Sequence, residues 1–340
     1  MKDENIKSPQ TIPTEMYSLL RRQKYQLVGW HSAVKKCHWL HKALTEGKFC
    51  YKCYFYGIES HRCLQMSPAV FWCWHNCLHC WRVQTLDVNL EFNEYTLYNP
   101  QDPKFIVDES INAQRRILSG YKGHPKVDPK MWEEAMNPKH VAISLTGDGT
   151  MYPRLGELIE EYHKRGFSTF LVTRGMRPDV LSKIPEPSQL YVSIEAPTYD
   201  LYKVINRPIV PRGWNLIQKT LEMLPSFSSP TVLRITLIKG YNMNFTLIDK
   251  FKKIIEISQP TYVEVKAYMH VGYSTRRLTR DAMPSHRETL EFSKKLSEEI
   301  GYDILSDVVD SRVVLLSKLR KPIRIGNGCK GVLPKSRWNI

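Results

Sequence analysis

Three cysteines stand close together in the stretch SPAVFWCWHNCLHCWR, which covers residues 67–82. Cys73, Cys77 and Cys80 follow a Cys-x3-Cys-x2-Cys spacing, so one short loop carries all three thiols. Three thiolates on such a loop can hold three corners of an iron–sulfur cube, and the missing fourth protein ligand leaves one iron open to a small molecule. Zinc is the alternative, with His75 or His79 as a fourth ligand, although structural zinc usually takes paired Cys-x2-Cys arms.

The other cysteines are also crowded, because seven of the eight lie within residues 37–80. Cys37, Cys50 and Cys63 follow one another at intervals of thirteen residues, which share no turn or helix face, so only long-range convergence could use them together. A zinc arm formed by Cys50 and Cys53 is a further possibility. In a reducing compartment we expect metal or cluster ligation rather than structural disulfides.

The segments after these cysteines alternate between strand and helix. Apolar, β-branched runs predict strands buried on both faces, and a helical stretch follows most of them. This order indicates βαβ units and a parallel sheet, and about six or seven units are fewer than the eight of a closed barrel. We therefore predict an α/β partial barrel of the (β/α)6 type. The predicted strands are SPAVFW, 140–147, 168–175, 189–196, 231–240, 261–270 and 311–318, and the predicted helices are RLGELIEEYHKRG, GWNLIQKTLEML, FTLIDKFKKIIEIS and SHRETLEFSKKLSEEIG.

Chemistry is expected where the strands of such a fold end, because ligands bind at their carboxyl ends. The Cys-x3-Cys-x2-Cys loop follows the first predicted strand. The segment LTGDGTMYP (145–153) ends a strand with small residues, which lets backbone groups approach a ligand closely. The segment YVSIEAP (191–197) places Ser193 and Glu195 at another strand end, although a buried strand with a polar tip is the plainer interpretation.

The charge of the chain favours a polyanionic partner. Its 49 Lys and Arg against 34 Asp and Glu give a formal charge of +15, and residues 317–340 contain seven of these cations and no acid. STRRLTR (274–280) adds three more arginines. Such a field gathers nucleic acid, although a solvated basic face is the alternative. We find no signal peptide and no apolar run of 18 residues, so we expect a cytoplasmic protein without a membrane partner.

Taken together, these motifs resemble a known family. The cysteine loop at the start of a βα barrel is similar to that of radical S-adenosylmethionine enzymes, whose open iron binds the amino and carboxylate groups of the cofactor. The resemblance is closest to archaeal-type tRNA 4-demethylwyosine synthases and covers most of the chain from about residue 35. The segments that carry it are FYGIESHRCLQMSP, CLHCWR, LTGDGTMYP, YVSIEAP, LRITLIKGYN and EVKAYMHVGYSTRRLTRDAMPSH.

The resemblance assigns roles to the strand-end residues. Thr146, Gly147 and Asp148 would bind the amino group of S-adenosylmethionine, although many members have Gly-Glu-Pro where this chain has Gly-Asp-Gly. Ser193 and Glu195 would contact its ribose or amino group. The ring of His79 would pack near the adenine and would not bind metal.

The resemblance also gives the remaining cysteines a use. Cys37, Cys50 and Cys63 would bind a second, auxiliary iron–sulfur cluster, so that the chain would carry two [4Fe-4S] clusters. Lys52 matches the lysine that would hold pyruvate, through a Schiff base or as a charge partner. A lysine beside thiolates can equally serve as charge balance.

The implied activity is a lyase-type carbon–carbon bond formation on RNA. A 5′-deoxyadenosyl radical would take a hydrogen from N1-methylguanosine at position 37 of tRNA-Phe, 3′ of the anticodon, and condensation with pyruvate carbons would close the tricyclic imidazopurine. Eukaryotic relatives carry a flavodoxin-like domain that this chain has no room for, so we expect a separate electron donor. We expect a monomer, with tRNA contacts from the C-terminal cations Lys318, Arg320 and Lys321.

The expected organisation has three parts: an N-terminal cysteine-rich extension (1–66), the radical S-adenosylmethionine partial barrel (67–320) and a basic C-terminal tail (321–340). Two alternatives belong to other classes. Another radical enzyme, such as a glycyl-radical activase or a different tRNA-modifying member, would keep the first cysteine set but need not use the second. A non-catalytic zinc or iron–sulfur RNA-binding module would need no strand-end cofactor loops.

Overall fold

The computed structural model describes residues 12–89, 92 and 95–329. Residues 1–11 of the predicted extension and 330–340 of the predicted tail lie outside this part of the chain. Ten strands form one sheet over the described residues. In chain order they are β1 (Gln26–Val28), β2 (Ser32–Val34), β3 (Cys63–Ser67), β4 (His140–Ile143), β5 (Ser168–Thr173), β6 (Gln189–Ser193), β7 (Thr231–Leu237), β8 (Tyr262–Ala267), β9 (Asp303–Val308) and β10 (Val313–Ser317).

Six neighbouring strands, β3 to β8, are parallel, as the alternating pattern predicts. The spatial order β1-β2-β3-β4-β5-β6-β7-β8-β10-β9 adds antiparallel strands at both edges. The helices are α1 (Thr14–Arg22), α2 (His38–Glu46), α3 (Tyr51–Tyr56), α4 (Pro103–Ser119), α5 (Pro129–Ala135), α6 (Leu155–Lys164), α7 (Pro178–Leu181), α8 (Tyr199–Asn206), α9 (Gly213–Met223), α10 (Ile248–Ser258) and α11 (His286–Ile300).

Two strand predictions are wrong in detail. The first parallel strand is β3, which ends at Ser67, so the predicted strand SPAVFW is instead the turn that leads into the cysteine loop. The last apolar run forms β10, which pairs with β8 in the antiparallel sense. The reason is that α11 leads to β9, and a tight turn at Val309–Ser311 then reverses the chain so that β10 inserts between β8 and β9.

The four predicted helices correspond to α6, α9, α10 and α11. Gly301 ends α11 with φ of 67°, a left-handed conformation that favours glycine. Gly166, just beyond α6, has φ of 74° for the same reason. One face of the sheet packs against these helices through residues such as Ile143, Val192 and Ile235.

The other face of the sheet encloses a lumen, and α3 fills it. Phe55 and Tyr56 of α3 form one buried cluster with inward side chains of the strands. Because side chains alternate along a strand, every second residue faces this lumen. The contributing strand residues are Ala142, Phe170, Tyr191, Val232, Tyr262, Val308, Val313 and Leu315. The architecture is therefore a mixed α/β partial barrel with an internal helix.

Residues of the predicted N-terminal extension are built into the same sheet as the predicted barrel. Strand β3 pairs with β4, and β2 pairs with β3 through Ala33–Ser67 and Val34–Met66. The helix α3, also from the extension, lies inside the lumen. The boundaries 1–66, 67–320 and 321–340 stay a prediction.

Candidate active site

The three cysteines of the loop after β3 line one cavity of about 170 Å³ at the carboxyl ends of the strands. The loops after β4 and β5 and the end of β6 complete its walls. Burial raises the pKa of Cys73 to about 12 and also raises that of Cys77. Thiols ligate metal as thiolates, so loading the site must displace these protons. The remaining lining residues include His79, Thr146, Gly147, Asp148, Arg174 and Ser193.

The cysteine loop is held by side chains that donate to its carbonyl oxygens. Arg277 donates to the carbonyl of Leu78 at 3.2 Å and to that of Cys80. Its guanidinium also pairs with Asp87 at 2.7 Å, and both side chains are less than a tenth exposed. Gln84 Nε2 donates to the Cys77 carbonyl at 2.9 Å. These bonds fix the direction of the loop, and Arg277 of STRRLTR is a buried group rather than part of a basic surface.

The loop after β4 must approach the cysteine segment closely. Gly147 has φ of 66°, and a Cβ at this position would lie 1.9 Å from the carbonyl oxygen of Ala69. Only glycine fits there. The next residue, Asp148, donates its backbone N–H to the Trp72 carbonyl at 2.8 Å.

The carboxylate of Asp148 is occupied by groups of this chain. It accepts from the backbone N–H of Thr150 at 3.0 Å, the Thr173 hydroxyl at 2.8 Å and the backbone N–H of Arg174 at 3.1 Å. These bonds tie the loops after β4 and β5 together. The Thr146 hydroxyl is engaged as well, since it donates to the Val70 carbonyl at 3.3 Å.

Ser193 lines the cavity directly, whereas Glu195 lies behind its wall. Glu195 is 1% exposed and forms an ion pair with Arg174. It also accepts from Asn206 Nδ2 at 3.2 Å and lies 3.4 Å from His79 Nε2. Burial, followed by the nearby Arg174, lowers the pKa of His79 well below its usual range, so the ring is neutral.

Arg174 is the residue of this cavity that sequence reasoning missed. It lies directly after β5 in the motif TRG. This is the carboxyl end of β5, and the carboxyl ends of β4 and β6 carry the other residues of the cavity. Its guanidinium contacts both Glu195 and His79, the latter at 2.9 Å, and so connects the β5 and β6 ends with the cysteine loop.

The second set of cysteines converges at the start of three elements. Cys37 precedes α2, Cys50 precedes α3 and Cys63 begins β3. Burial, and then the nearby Cys37, raise the pKa of Cys50 and of Cys63 to about 12. The structure thus brings together residues that are thirteen positions apart.

Lys52 lies on α3 beside these thiols, with its amine inside the lumen. Its Nζ is 4.5 Å from the ring centre of Phe170 and 4.4 Å from that of Tyr191. Burial, and then the nearby Arg234, lower the pKa of the Lys52 ammonium. Val172 and Ser193, which line the cofactor cavity, lie two residues further along the same strands. Two residues of strand span about 7 Å, so the amine lies just below the cavity.

A buried polar cluster surrounds the amine site. Arg234 donates to the Glu264 carboxylate at 3.0 Å and to the Tyr51 hydroxyl at 2.6 Å. The other oxygen of Glu264 accepts from the Tyr56 hydroxyl at 2.8 Å. Lys266 lies two residues after Glu264 on β8 and donates to the Ser311 carbonyl at 2.6 Å. Burial, and then the nearby Arg234, lower the pKa of Lys266 to about 8. The lumen is thus cationic where it adjoins the second cysteine set.

The predicted RNA-binding cations lie at the other end of the sheet. Lys318, Arg320 and Lys321 are exposed and follow β10, whose Leu316 pairs with Val263 near the beginning of β8. The cofactor cavity lies at the carboxyl ends of the parallel strands, so these cations and the cavity are at opposite ends.

The expectation that no cysteine forms a structural disulfide is wrong for one pair. Cys53 of α3 is bonded to Cys329, 276 residues later. The physical reason is that the segment after β10 returns beneath α3, where Gly328 donates its N–H to the Gly57 carbonyl at 2.7 Å. This pair removes Cys53 from the suggested zinc arm with Cys50.

Within the described part of the chain, no three His, Cys, Asp or Glu side chains lie close enough together to hold one metal ion. Cys73, Cys77 and Cys80 nevertheless line one cavity, an arrangement in which each thiolate can bind a different iron of an iron–sulfur cube. Separately, no helix among the described residues is long and apolar enough to cross a membrane.

Two family models match the chain. The radical SAM superfamily model covers residues 68–251, and the model for wyosine base formation covers residues 257–318. The partial barrel with its three-cysteine loop thus defines a radical S-adenosylmethionine protein.

The chain belongs to the family of S-adenosyl-L-methionine-dependent tRNA 4-demethylwyosine synthases. It is 49% identical to the synthase of that name from Pyrococcus abyssi over 92% of this chain and 91% of the relative. It is also similar to two solved structures. One, described as TYW1 with a lysine-pyruvate adduct bound, is 42% identical with a TM-score of 0.82 and covers 90% of this chain and 96% of its own. The other, of archaeal TYW1, is 38% identical with a TM-score of 0.75 and covers 92% and 99%.

Proposed function

We propose that the chain is a radical enzyme that builds the imidazopurine base of 4-demethylwyosine in tRNA. Its substrates are N1-methylguanosine at position 37 of tRNA-Phe and pyruvate, whose carbons complete the third ring. The names of its relatives support this assignment. The observation that carries it within this chain is the position of Lys52, whose amine lies against Phe170 and Tyr191, about two strand residues below the cofactor cavity.

The first cysteine set would hold a [4Fe-4S] cluster, with Cys73, Cys77 and Cys80 as its ligands. The cluster and S-adenosylmethionine supply a 5′-deoxyadenosyl radical when both are bound. The residues around the cavity would orient the cofactor: Thr146 and the backbone at Gly147 would bind its amino group, and Ser193 would bind its ribose or amino group. Arg174, held by Glu195, is the neighbouring cation that would bind its carboxylate, and Asp148 joins the two loops that carry these residues.

Lys52 is the group that would hold pyruvate. Burial lowers the pKa of the Lys52 ammonium, which favours the neutral amine, the form that attacks a ketone carbon to give an imine and water. As an ammonium, it would instead pair with the pyruvate carboxylate. Either way, the aromatic walls exclude water from the amine. The similar TYW1 structure with a lysine-pyruvate adduct bound supports this role.

The second cysteine set would hold an auxiliary [4Fe-4S] cluster next to Lys52. Three thiols and no fourth leave one iron for a ligand such as pyruvate. We further propose that the chain acts as a cytoplasmic monomer and takes its electrons from a separate donor.

The experiment is anaerobic reconstitution with iron and sulfide, followed by reaction with S-adenosylmethionine, pyruvate, a reductant and tRNA that contains N1-methylguanosine. Mass spectrometry of the digested tRNA should show imidazopurine, and pyruvate labelled with carbon-13 should shift its mass. Cofactor cleavage with no tRNA product would point to another radical enzyme. Absence of cleavage would leave the non-catalytic RNA-binding alternative.

A further inference from the structure

A second cleft lies beside the cofactor cavity, between α8 and the cysteine loop, and has a volume of about 560 Å³. Its walls combine apolar surface with positive charge: Tyr199 is 48% and Leu86 65% exposed, and Lys203 and Arg207 are exposed cations. Large apolar side chains this exposed next to cations favour a ligand that has both a flat apolar part and a negative charge.

Asn76 gives this cleft a buried polar group without a partner. The residue lies between His75 and Cys77, lines the cleft and is only 6% exposed. Among the described residues, no group forms a hydrogen bond with its side-chain oxygen. Buried polar atoms are nearly always paired, so this oxygen indicates a donor that the ligand supplies.

The cleft is connected directly to the cysteine loop. The Asn76 N–H donates to the Arg207 carbonyl at 3.0 Å, and Leu78 N–H donates to the Ile205 carbonyl at 2.9 Å. Asn206 Nδ2, at the end of α8, lies 3.6 Å from the Cys77 Sγ. An occupant of the cleft therefore sits alongside the loop that would carry the radical-generating cluster.

The cations of the cleft match a phosphate backbone. Lys203 Nζ lies 4.7 Å from the ring centre of Tyr199 and 3.0 Å from Asp200, whose side chain is 90% exposed. An ion pair as exposed as this is weak, so the lysine can exchange its partner for a phosphate at little cost. These are the features that bind unpaired nucleotides: a half-exposed ring stacks on a base, cations contact the phosphates, and an amide forms hydrogen bonds with the edge of a base.

We propose that this cleft binds a nucleotide of the RNA loop that flanks the modified guanosine. The inference rests on the proposed function, because it takes tRNA as the substrate. A flanking nucleotide held on Tyr199 would help to keep the target base unstacked and turned toward the cofactor cavity.

The test is the affinity of the reconstituted protein for a fluorescein-labelled anticodon stem-loop RNA of tRNA-Phe sequence, measured by fluorescence anisotropy. Tyr199→Ala should weaken binding about tenfold, since a stacked base loses its ring, whereas Tyr199→Phe should bind as the wild type does. Lys203→Gln should lower the slope of log affinity against log salt by about one. Lys295→Gln is the matched control, because Lys295 is also exposed and pairs with an acid three residues away, Glu298, at 3.1 Å.

A photo-crosslinking experiment tests the same inference without a substitution. Stem-loops with 4-thiouridine on either side of the target guanosine should crosslink to peptides from residues 199–210. Unchanged affinity in Tyr199→Ala together with crosslinks elsewhere would overturn the inference and leave the cleft to another partner, such as a protein electron donor. Failure of the wild type to bind full-length tRNA-Phe as well as the stem-loop would overturn the proposed function too.

Discussion

At the scale of single residues, the site depends on cations that are buried rather than solvated. Lys52 lies between two aromatic rings in the lumen, and Arg277 lies under the cysteine loop. In sequence, Lys52 suggests charge balance for the neighbouring thiolates, and Arg277 belongs to the basic segment STRRLTR, which suggests a nucleic-acid surface. Their burial changes the effect expected on replacing them, because a buried cation has specific partners that would lose it.

Lys52→Ala should separate cofactor cleavage from carbon–carbon bond formation. The first cysteine set does not include Lys52, so the variant should still release 5′-deoxyadenosine when reduced. It should form little imidazopurine, since a positioned reactant contributes an effective concentration of about 10⁵ M or more. Chromatography of 5′-deoxyadenosine and mass spectrometry of tRNA measure the two activities. Lys48→Ala, an exposed neighbour, is the control. Near-normal product from Lys52→Ala at low and saturating pyruvate would reduce the lysine to a spectator charge.

Arg277→Gln should loosen the cysteine loop. The change removes donors to the Leu78 and Cys80 carbonyls and leaves Asp87 buried without its partner, which typically costs about 3–5 kcal/mol. We expect a lower midpoint of thermal unfolding and faster loss of iron to a chelator. Arg276→Gln is the matched control, because this neighbour is exposed and contacts the Tyr273 ring. Equal iron loss in both variants would contradict the role given to Arg277.

The sequence identifies the residues whose spacing is local and misses those whose partners are distant. The Cys73, Cys77 and Cys80 loop and the glycine at position 147 follow from short motifs. The Arg277 and Asp87 pair joins residues that are 190 positions apart, and Arg174 meets Glu195 only because neighbouring strands end together. No periodicity encodes such pairs.

At the scale of elements, the buried parallel strands were the predictable part of the fold. Strand β4 is buried at all four positions, and β7 and β8 are nearly so, so these strands are mostly apolar or β-branched apart from the lumen residues Arg234, Glu264 and Lys266. Strands β1 and β2 have three residues each, and β9 begins with an exposed Asp303 and partly exposed neighbours, so they lack that signal. The six-residue helix α3 is too short to show helical periodicity, although it fills the lumen.

The C-terminal segment is held beneath α3 by the Cys53–Cys329 bond, and Cys329→Ser should release it. A crosslink that closes a long loop typically stabilises a protein by about 2–4 kcal/mol, because it restricts the unfolded chain. We expect the variant to unfold at a lower denaturant concentration. Dithiothreitol should lower the midpoint of the wild type toward that of the variant and leave the variant unchanged. An equal effect of reductant on both proteins would argue that this bond does not stabilise the fold.

At the scale of the whole molecule, the positive charge is spread over both ends of the sheet. The cofactor cavity and the cleft lined by Tyr199 share one end, and the exposed Lys318, Arg320 and Lys321 lie at the other. A tRNA is large enough to contact both. The sequence predicts the charge excess but not its placement, because β10 reverses direction after the turn at Val309–Ser311.

A variant in which Lys318, Arg320 and Lys321 are all neutralised tests whether bound tRNA reaches the end of the sheet opposite the cofactor cavity. If each contacts a phosphate of full-length tRNA, the slope of log affinity against log salt should flatten by up to about three. Neutralising the exposed Lys250, Lys253 and Lys295 of α10 and α11 is the matched control. An unchanged slope in the first variant would place the tRNA on the cofactor end alone.

The central claim is that two separate cysteine sets divide the work: Cys73, Cys77 and Cys80 for cofactor cleavage, and Cys37, Cys50 and Cys63 for the pyruvate site. The most direct test measures iron and 5′-deoxyadenosine in two triple alanine variants, one for each set, after identical anaerobic reconstitution. Each variant should keep about half of the wild-type iron, since each loses one of two similar clusters. Only the variant that lacks Cys73, Cys77 and Cys80 should lose cofactor cleavage. Cleavage that persists in that variant, or full iron in the variant that lacks the other three, would contradict the account.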